Sequence, residues 1–199
     1  MKKIICGIHA IVEGVEIAKA ILLGGVRIIQ FRHKSATTRD FLRIARQLRK
    51  LTQDRRAVFI VNDRADIACL VDADGVHLGQ DDLPAAEARK IVGKGKIIGV
   101  STHSKQEALK AQEDGADYIG YGPIFATASK EGALPPRGIP ALKEIASVVT
   151  LPVIAIGGIR EDNLRMILNA GAQGAALILE FSSARDVIGK TRSLLKQFK

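Results

Sequence analysis

Two patterns of apolar residues alternate along this chain, and that alternation restricts its fold more than any single motif. Short runs rich in β-branched residues recur as "KKIICGI" (2–8), "RIIQF" (27–31), "VFIVN" (58–62), "GVHLG" (75–79), "IIGVS" (97–101), "YIGYG" (118–122), "PVIAIG" (152–157) and "GAALIL" (174–179). Segments with helical spacing lie between them. Three of these open on an oxygen-bearing side chain followed three residues later by an acidic one: Thr37 and Asp40, Ser104 and Glu107, Ser183 and Asp186. Such a pair satisfies N–H groups left free at a helix start. Strand and helix in alternation imply a parallel sheet, because parallel neighbours need crossover connections. Eight such units in 199 residues fit one α/β domain spanning 1–199. A compact (β/α)8 TIM barrel suits that length better than an open doubly wound sheet. No GxGxxG follows the first strand, which weakens a dinucleotide fold.

Composition narrows the function classes. Apolar residues make up 47% of the chain and charged residues 26%, which is material for a soluble, packed core. No apolar run is long enough to span a membrane; "AILLGGVRII" is broken by Gly24, Gly25 and Arg27. The first residues lack the apolar core and cleavage site of a signal peptide, and Cys6 and Cys69 have no CxxC or zinc spacing. A reduced, cytoplasmic compartment is therefore expected. Thirty Lys and Arg against 21 Asp and Glu give +9. Nucleic acid is disfavoured by an aromatic content of 4% with no Trp, since base stacking needs aromatic faces. Much of the positive charge lies on helix-like runs such as "RIARQLRK", where a solvated face explains it. The expected partners are anionic small molecules, not nucleic acid or membrane. A homo-oligomer is compatible with the sequence, which does not set a number of copies.

In a barrel of this kind, chemistry sits at the C-terminal ends of the strands. The second run continues as "IIQFRHK", where alternation puts Gln30, Arg32 and Lys34 on one face and Phe31 and His33 on the other. Asn62 and Asp63 close the third strand, Asp82 follows the fourth, and Ser101 and His103 stand at the fifth. Two carboxylates on adjacent strand ends, completed by water and phosphate, suit Mg2+. A plainer alternative is that Asp82 caps the next helix and Asp63 pairs with Arg64 or a neighbour. Gly157 and Gly158 offer bare backbone where barrels often bind phosphate, although tight turns also want glycine. Arg32, Lys34 and Lys130 can neutralise a second anion. His103 is a candidate acid or base, or a loop histidine held near a helix start. No Ser-His-Asp or Cys-His arrangement is legible.

The stretches "QFRHK", "VNDRADIA", "ADGVHLGQDDLP", "IGVSTHS", "GADYIGYGPIFATASK", "PVIAIGGI" and "NAGAQGAALI" resemble the thiamine-phosphate synthase family, in order, across about residues 27–180. The resemblance implies a (β/α)8 barrel that joins hydroxymethylpyrimidine diphosphate to hydroxyethylthiazole phosphate, or its carboxylated form, and releases pyrophosphate. It implies that Gln30, Arg32, Lys34, Asn62, Ser101 and Lys130 bind the pyrimidine diphosphate, with Phe31 and His33 in the same binding segment. Arg32, Lys34, Ser101 and Lys130 would take the catalytic roles, and Asp63 and Asp82 would hold Mg2+. Thr127, Ala128, Ser129, Gly158, Ile178 and Leu179 would meet the thiazole phosphate. The chain departs from the family pattern in its short first strand, in Ala126 where proline is usual, and in Leu179 where serine is common. The sister family of thiazole tautomerases shares the barrel and a histidine like that of "STHS", and ends much like "LEFSSARD". It tends to lack the carboxylate pair that this chain keeps. A non-catalytic phosphate-binding barrel is the alternative of another class, and an intact set of cations and carboxylates argues against it.

Overall fold

The computed structural model describes residues 5–127 and 134–198. Among the described residues the chain forms eight strands and nine helices. In order these are β1 (Gly7–Val12), α1 (Val15–Gly24), β2 (Ile28–Phe31), α2 (Thr38–Asp54), β3 (Val58–Asn62), α3 (Ala65–Leu70), β4 (Gly75–Leu78), α4 (Ala85–Val92) and β5 (Ile97–Thr102). They continue as α5 (Lys105–Glu113), β6 (Tyr118–Tyr121), α6 (Gly138–Val148), β7 (Val153–Ala155), α7 (Leu164–Asn169), β8 (Gly174–Leu177), α8 (Leu179–Ser182) and α9 (Val187–Lys196). Each strand pairs in parallel with its neighbours in sequence, and β8 pairs with β1, closing the (β/α)8 barrel that the alternation predicts. No described helix is long and apolar enough to cross a membrane.

Helix α2 shows how the outer layer forms. Thr37 caps it, accepting from the Asp40 N–H at 3.2 Å, and Phe41, Ala45, Leu48 and Thr52 make the buried stripe. Phe31, on the outward face of β2, lies against Phe41 with ring centroids 4.3 Å apart. Between α1 and α9 the backbones come very close. A side chain on Gly24 would start 2.4 Å from Thr191 Cβ, so only glycine lets the last helix seal the barrel there.

The interior is layered. Ile28, Ile60, Ile97, Tyr118 and Ile154, with Ile5, form an apolar floor. Above it, register places Gln30, Asn62, His77 and Ser101 on the same inward face. An apolar base and a polar rim within one barrel direct any charged ligand to the C-terminal mouth.

Two sequence expectations shift here. The first strand is Gly7–Val12, not "KKIICGI", of which residues 2–4 lie outside the described residues. Gly7 has φ +114°, a conformation natural to glycine, so the chain turns there and separates Ile5 from the strand. The last helix is capped by Asp186, which accepts from the Gly189 N–H at 2.9 Å, not by Ser183. Ser183 ends the extra helix α8 instead, its hydroxyl donating to the Leu179 carbonyl at 2.5 Å.

Candidate active site

The end of β3 is held in an unusual shape. Asp63 has φ +63°, a left-handed conformation that Asp tolerates better than most residues. Its N–H donates to the His77 carbonyl at 2.8 Å, hooking β3 over β4. The Asp63 carboxylate accepts from Lys34 Nζ, which arrives from the loop after β2. Asp82 comes from the loop after β4 and lies within hydrogen-bond reach of Asp63. Its carboxylate turns back to accept from the Gly79 N–H at 2.7 Å.

Of the plainer alternatives, the helix cap does not form, but Asp63 does pair with a neighbouring cation, Lys34. Pro84, not Asp82, stands at the cap of α4, and Arg64 pairs with Asp66 at 2.6 Å. Burial raises the Asp82 carboxyl above its ordinary range and the neighbouring Asp63 adds to that rise; the Gly79 N–H and Lys34 work against it. Two carboxylates this close repel, and a cation between them relieves the repulsion. Among the described residues no third acidic, histidine or cysteine side chain joins them to make a cluster of metal-binding residues. The remaining positions of a bound ion would fall to water and substrate oxygens, as a hard ion such as Mg2+ prefers.

Gln30 and Asn62 are buried on the inward face below this cluster, and Ser101 Oγ lies 2.9 Å from His77 Nε2. The Gln80 amide donates to the Ser101 carbonyl at 2.6 Å, tying the loop after β4 to β5. Arg32 is half-buried with its N–H on the Val12 carbonyl at 3.0 Å, and its guanidinium makes no ion pair among the described residues. Phe31 lies where alternation puts it, on the other face from Gln30: its ring is wholly buried in the helix layer against Phe41 and does not face the mouth. Outward register decides this. His33 is half-buried, and its Nδ1 is shut away from solvent without a partner among the described residues.

On the opposite rim, Gly157 and Gly158 have φ +85° and +65°. A Cβ on Gly158 would lie 2.5 Å from the Ala126 carbonyl oxygen, so the loop after β6 packs directly on the glycine turn. Phe125 N–H donates to the Gly157 carbonyl at 3.1 Å, and Asn163 Nδ2 donates to the Gly158 carbonyl at 3.0 Å. With their carbonyls engaged, the N–H groups of this turn are left without partners among the described residues, an arrangement suited to an anion. Ile178 and Leu179 open α8 beside it; Glu180 accepts from the Glu161 N–H at 3.2 Å, and Lys190 binds Glu161 and Glu180. Thr127 is half-buried at the end of the β6 loop, whereas Ala128, Ser129 and Lys130 lie outside the described residues.

Residues 4–181 match the family described as thiamine monophosphate synthase. The chain belongs to the thiamine monophosphate synthase family. A thiamine-phosphate synthase of Shouchella clausii is 49% identical over 181 residues, covering 91% of this chain and 87% of the relative. One from Chlorobium phaeovibrioides is 51% identical over 172 residues, covering 86% and 82%. The solved structure of a thiamine phosphate pyrophosphorylase from Pyrococcus furiosus superposes with a TM-score of 0.90 at 40% identity, covering 99% of this chain and 96% of that one.

In this family member, three interior residues escaped the reading by strand ends. His77, Tyr118 and His9 are buried on the inward face, with His77 Nδ1 2.9 Å from Tyr118 Oη and the His9 and Tyr118 rings 5.1 Å apart. Burial lowers both histidines to about 4, and each stays neutral near pH 7. The available signal was a lone histidine inside each of two otherwise apolar strands, GIHAIV and GVHL.

His103 is tied down: its N–H donates to Glu107 at 2.7 Å and its Nδ1 lies 2.6 Å from the Gly122 carbonyl. A carbonyl only accepts, so Nδ1 carries the hydrogen. A cavity of about 460 Å³ opens at the other end of the barrel. Arg27 and Arg56 line it, Arg27 already donating to the Leu22 and Val26 carbonyls, and none of the expected site residues does.

Proposed function

We propose that this chain is a thiamine-phosphate synthase. In this reading it joins hydroxymethylpyrimidine diphosphate to hydroxyethylthiazole phosphate, or its carboxylated form, with Mg2+ held by Asp63 and Asp82. The observation that carries the reading is the Lys34, Asp63 and Asp82 cluster on three adjoining strand ends. It belongs to a chain that shares about half its residues with thiamine-phosphate synthases. The raised Asp82 carboxyl beside Asp63 fits a site that takes up a cation.

The chemistry breaks the bond between the pyrimidine methylene carbon and the diphosphate oxygen, and the electron pair leaves with pyrophosphate. The thiazole nitrogen then supplies the pair for the new C–N bond. When bound, Mg2+ would offset negative charge on the departing diphosphate. Arg32, Lys34 and Lys130 would act on the same charge from the protein side, as fixed cations aimed where charge develops. Gln30, Asn62 and Ser101 would orient the pyrimidine end. Thr127 to Ser129, the Gly158 turn and the start of α8 would hold the thiazole phosphate. Bond formation at nitrogen needs no general base, so the main contribution of the chain is to align two substrates and exclude competing geometries.

The test is direct. Purified protein with both phosphorylated substrates and Mg2+ should yield thiamine phosphate and pyrophosphate in equal amounts, and chelation should stop the reaction. No product under those conditions refutes the reading. Product formed equally well under chelation removes the metal from it.

A further inference from the structure

Below the polar rim runs a hydrogen-bonded chain of three side chains from three strands. Tyr118 on β6 has its Oη 2.9 Å from His77 Nδ1 on β4, and His77 Nε2 lies 2.9 Å from Ser101 Oγ on β5. Tyr118 is 1% exposed and His77 6%. The barrel is hollowed out to hold them. A Cβ on Gly99 would lie 2.1 Å from Tyr118 Cζ, and one on Gly120 would lie 3.2 Å from His77 Cε1. Neither glycine has a positive φ, so space, not backbone freedom, explains both.

The direction of the hydrogens follows from counting donors. Each imidazole nitrogen either carries a hydrogen and donates or carries none and accepts. Burial keeps the Tyr118 phenol protonated, and the acceptor it meets among the described residues is His77 Nδ1. A hydrogen on Nδ1 would leave the phenol O–H buried with nothing to accept it, an expensive arrangement. Tyr118 therefore donates to Nδ1, the imidazole hydrogen sits on Nε2, and Nε2–H donates to Ser101 Oγ. A hydroxyl that accepts from the ring has its own hydrogen turned away from it. Ser101 stands at the C-terminal end of β5, so that hydrogen is available to the mouth.

We propose that Tyr118 and His77 are positioning residues that hold Ser101 as a hydrogen-bond donor toward the oxygens of an anionic substrate. The inference rests on the synthase reading for the identity of that substrate, the pyrimidine diphosphate. Anionic oxygens only accept. A freely rotating serine would present its lone pairs part of the time, and the buried chain prevents this before substrate arrives.

The experiment is a double-mutant cycle on Ser101→Ala and Tyr118→Phe. Tyr118→Phe removes a single oxygen, and we expect kcat/KM for the pyrimidine diphosphate to fall about five- to tenfold. The KM for the thiazole phosphate should stay the same. In the Ser101→Ala background the same substitution should cost nothing further, because there is no hydroxyl left to orient. Equal losses in both backgrounds overturn the proposal, since a merely structural role would act in either. Restoring activity with His77→Gln, whose amide can donate to Ser101, but not with His77→Leu, supports it; equal losses in the two count against it. Nitrogen NMR of the wild-type imidazoles needs no turnover. An Nε2–H tautomer at His77 supports the proposal and an Nδ1–H tautomer sinks it, whatever the substrates prove to be.

Discussion

Asp63 combines a left-handed backbone with a carboxylate that already meets a lysine. Asn tolerates the same backbone but carries no charge, so Asp63→Asn separates the proposed metal binding from folding. Asp63→Asn and Asp82→Asn should each lower Mg2+-dependent kcat/KM by about a hundredfold or more, in the range seen for lost electrostatic groups, with little change in Tm. Normal turnover by both variants at low Mg2+ would overturn the proposed metal site. His103 gives the contrasting case at this scale. Its Nδ1–H is spent on Gly122, and coupling at nitrogen needs no base. His103→Ala should therefore keep at least about a tenth of coupling activity, a loss below ~1.4 kcal/mol. A variant with no coupling activity would instead give His103 a part in the coupling step itself, as a group that moves a proton.

Between elements, the lower end of the barrel repeats one device. Asp74, Asp117 and Gln173 each stand just before an even-numbered strand. Their side chains accept from the Phe59, Ile98 and Val153 N–H groups of the preceding strand, at 2.8, 2.8 and 2.7 Å. Arg49 and Arg89 complete the two acidic cases from the helix layer. Asp117→Ala strands a strand N–H and an arginine together, so stability should drop by about 2–3 kcal/mol while the KM values stay put. A large change in either KM would show that the two barrel ends are not independent. The glycine turn behaves oppositely. Gly158→Ala puts a Cβ against the Ala126 carbonyl, and the KM for thiazole phosphate should rise more than that for the pyrimidine diphosphate. The reverse order would exchange the two anion sites.

These same details mark what the residues reveal in advance. Strand ends, helix caps at Thr37 and Ser104, and the carboxylate pair follow from local pattern, which is why they were legible. The first strand was not, because a β-branched run carries no register and the turn at Gly7 looks like any glycine. The Tyr118, His77 and Ser101 chain was not, because it joins residues from three strands whose nearness exists only once the barrel closes.

For the molecule as a whole, the two buried histidines govern how stability depends on pH. In the folded state His9 and His77 are lowered to about 4, chiefly by burial, against 6.5 for the free side chain. As pH falls through 6.5 the unfolded chain takes up protons that the folded chain refuses. More protons on the unfolded state mean that stability falls with pH, by up to ~1.4 kcal/mol per pH unit for each histidine. The contribution is whole above 6.5 and is progressively lost down to about 4. The lowered carboxylates do not compete in that window: Asp66, Asp72 and Glu161 titrate below their ordinary values, under the histidine range. Asp82 acts in the opposite sense, since a raised carboxyl gains stability as pH falls, but it is a single, partly exposed group. Chemical denaturation at pH 7 and pH 5 should therefore show a loss of a few kcal/mol, with about two protons taken up on unfolding near pH 5. His77→Gln and His9→Gln should each remove about half of that slope even where they lower stability at pH 7. An undiminished slope in both variants would place the proton uptake on other groups and leave the interior of the barrel without a part in it.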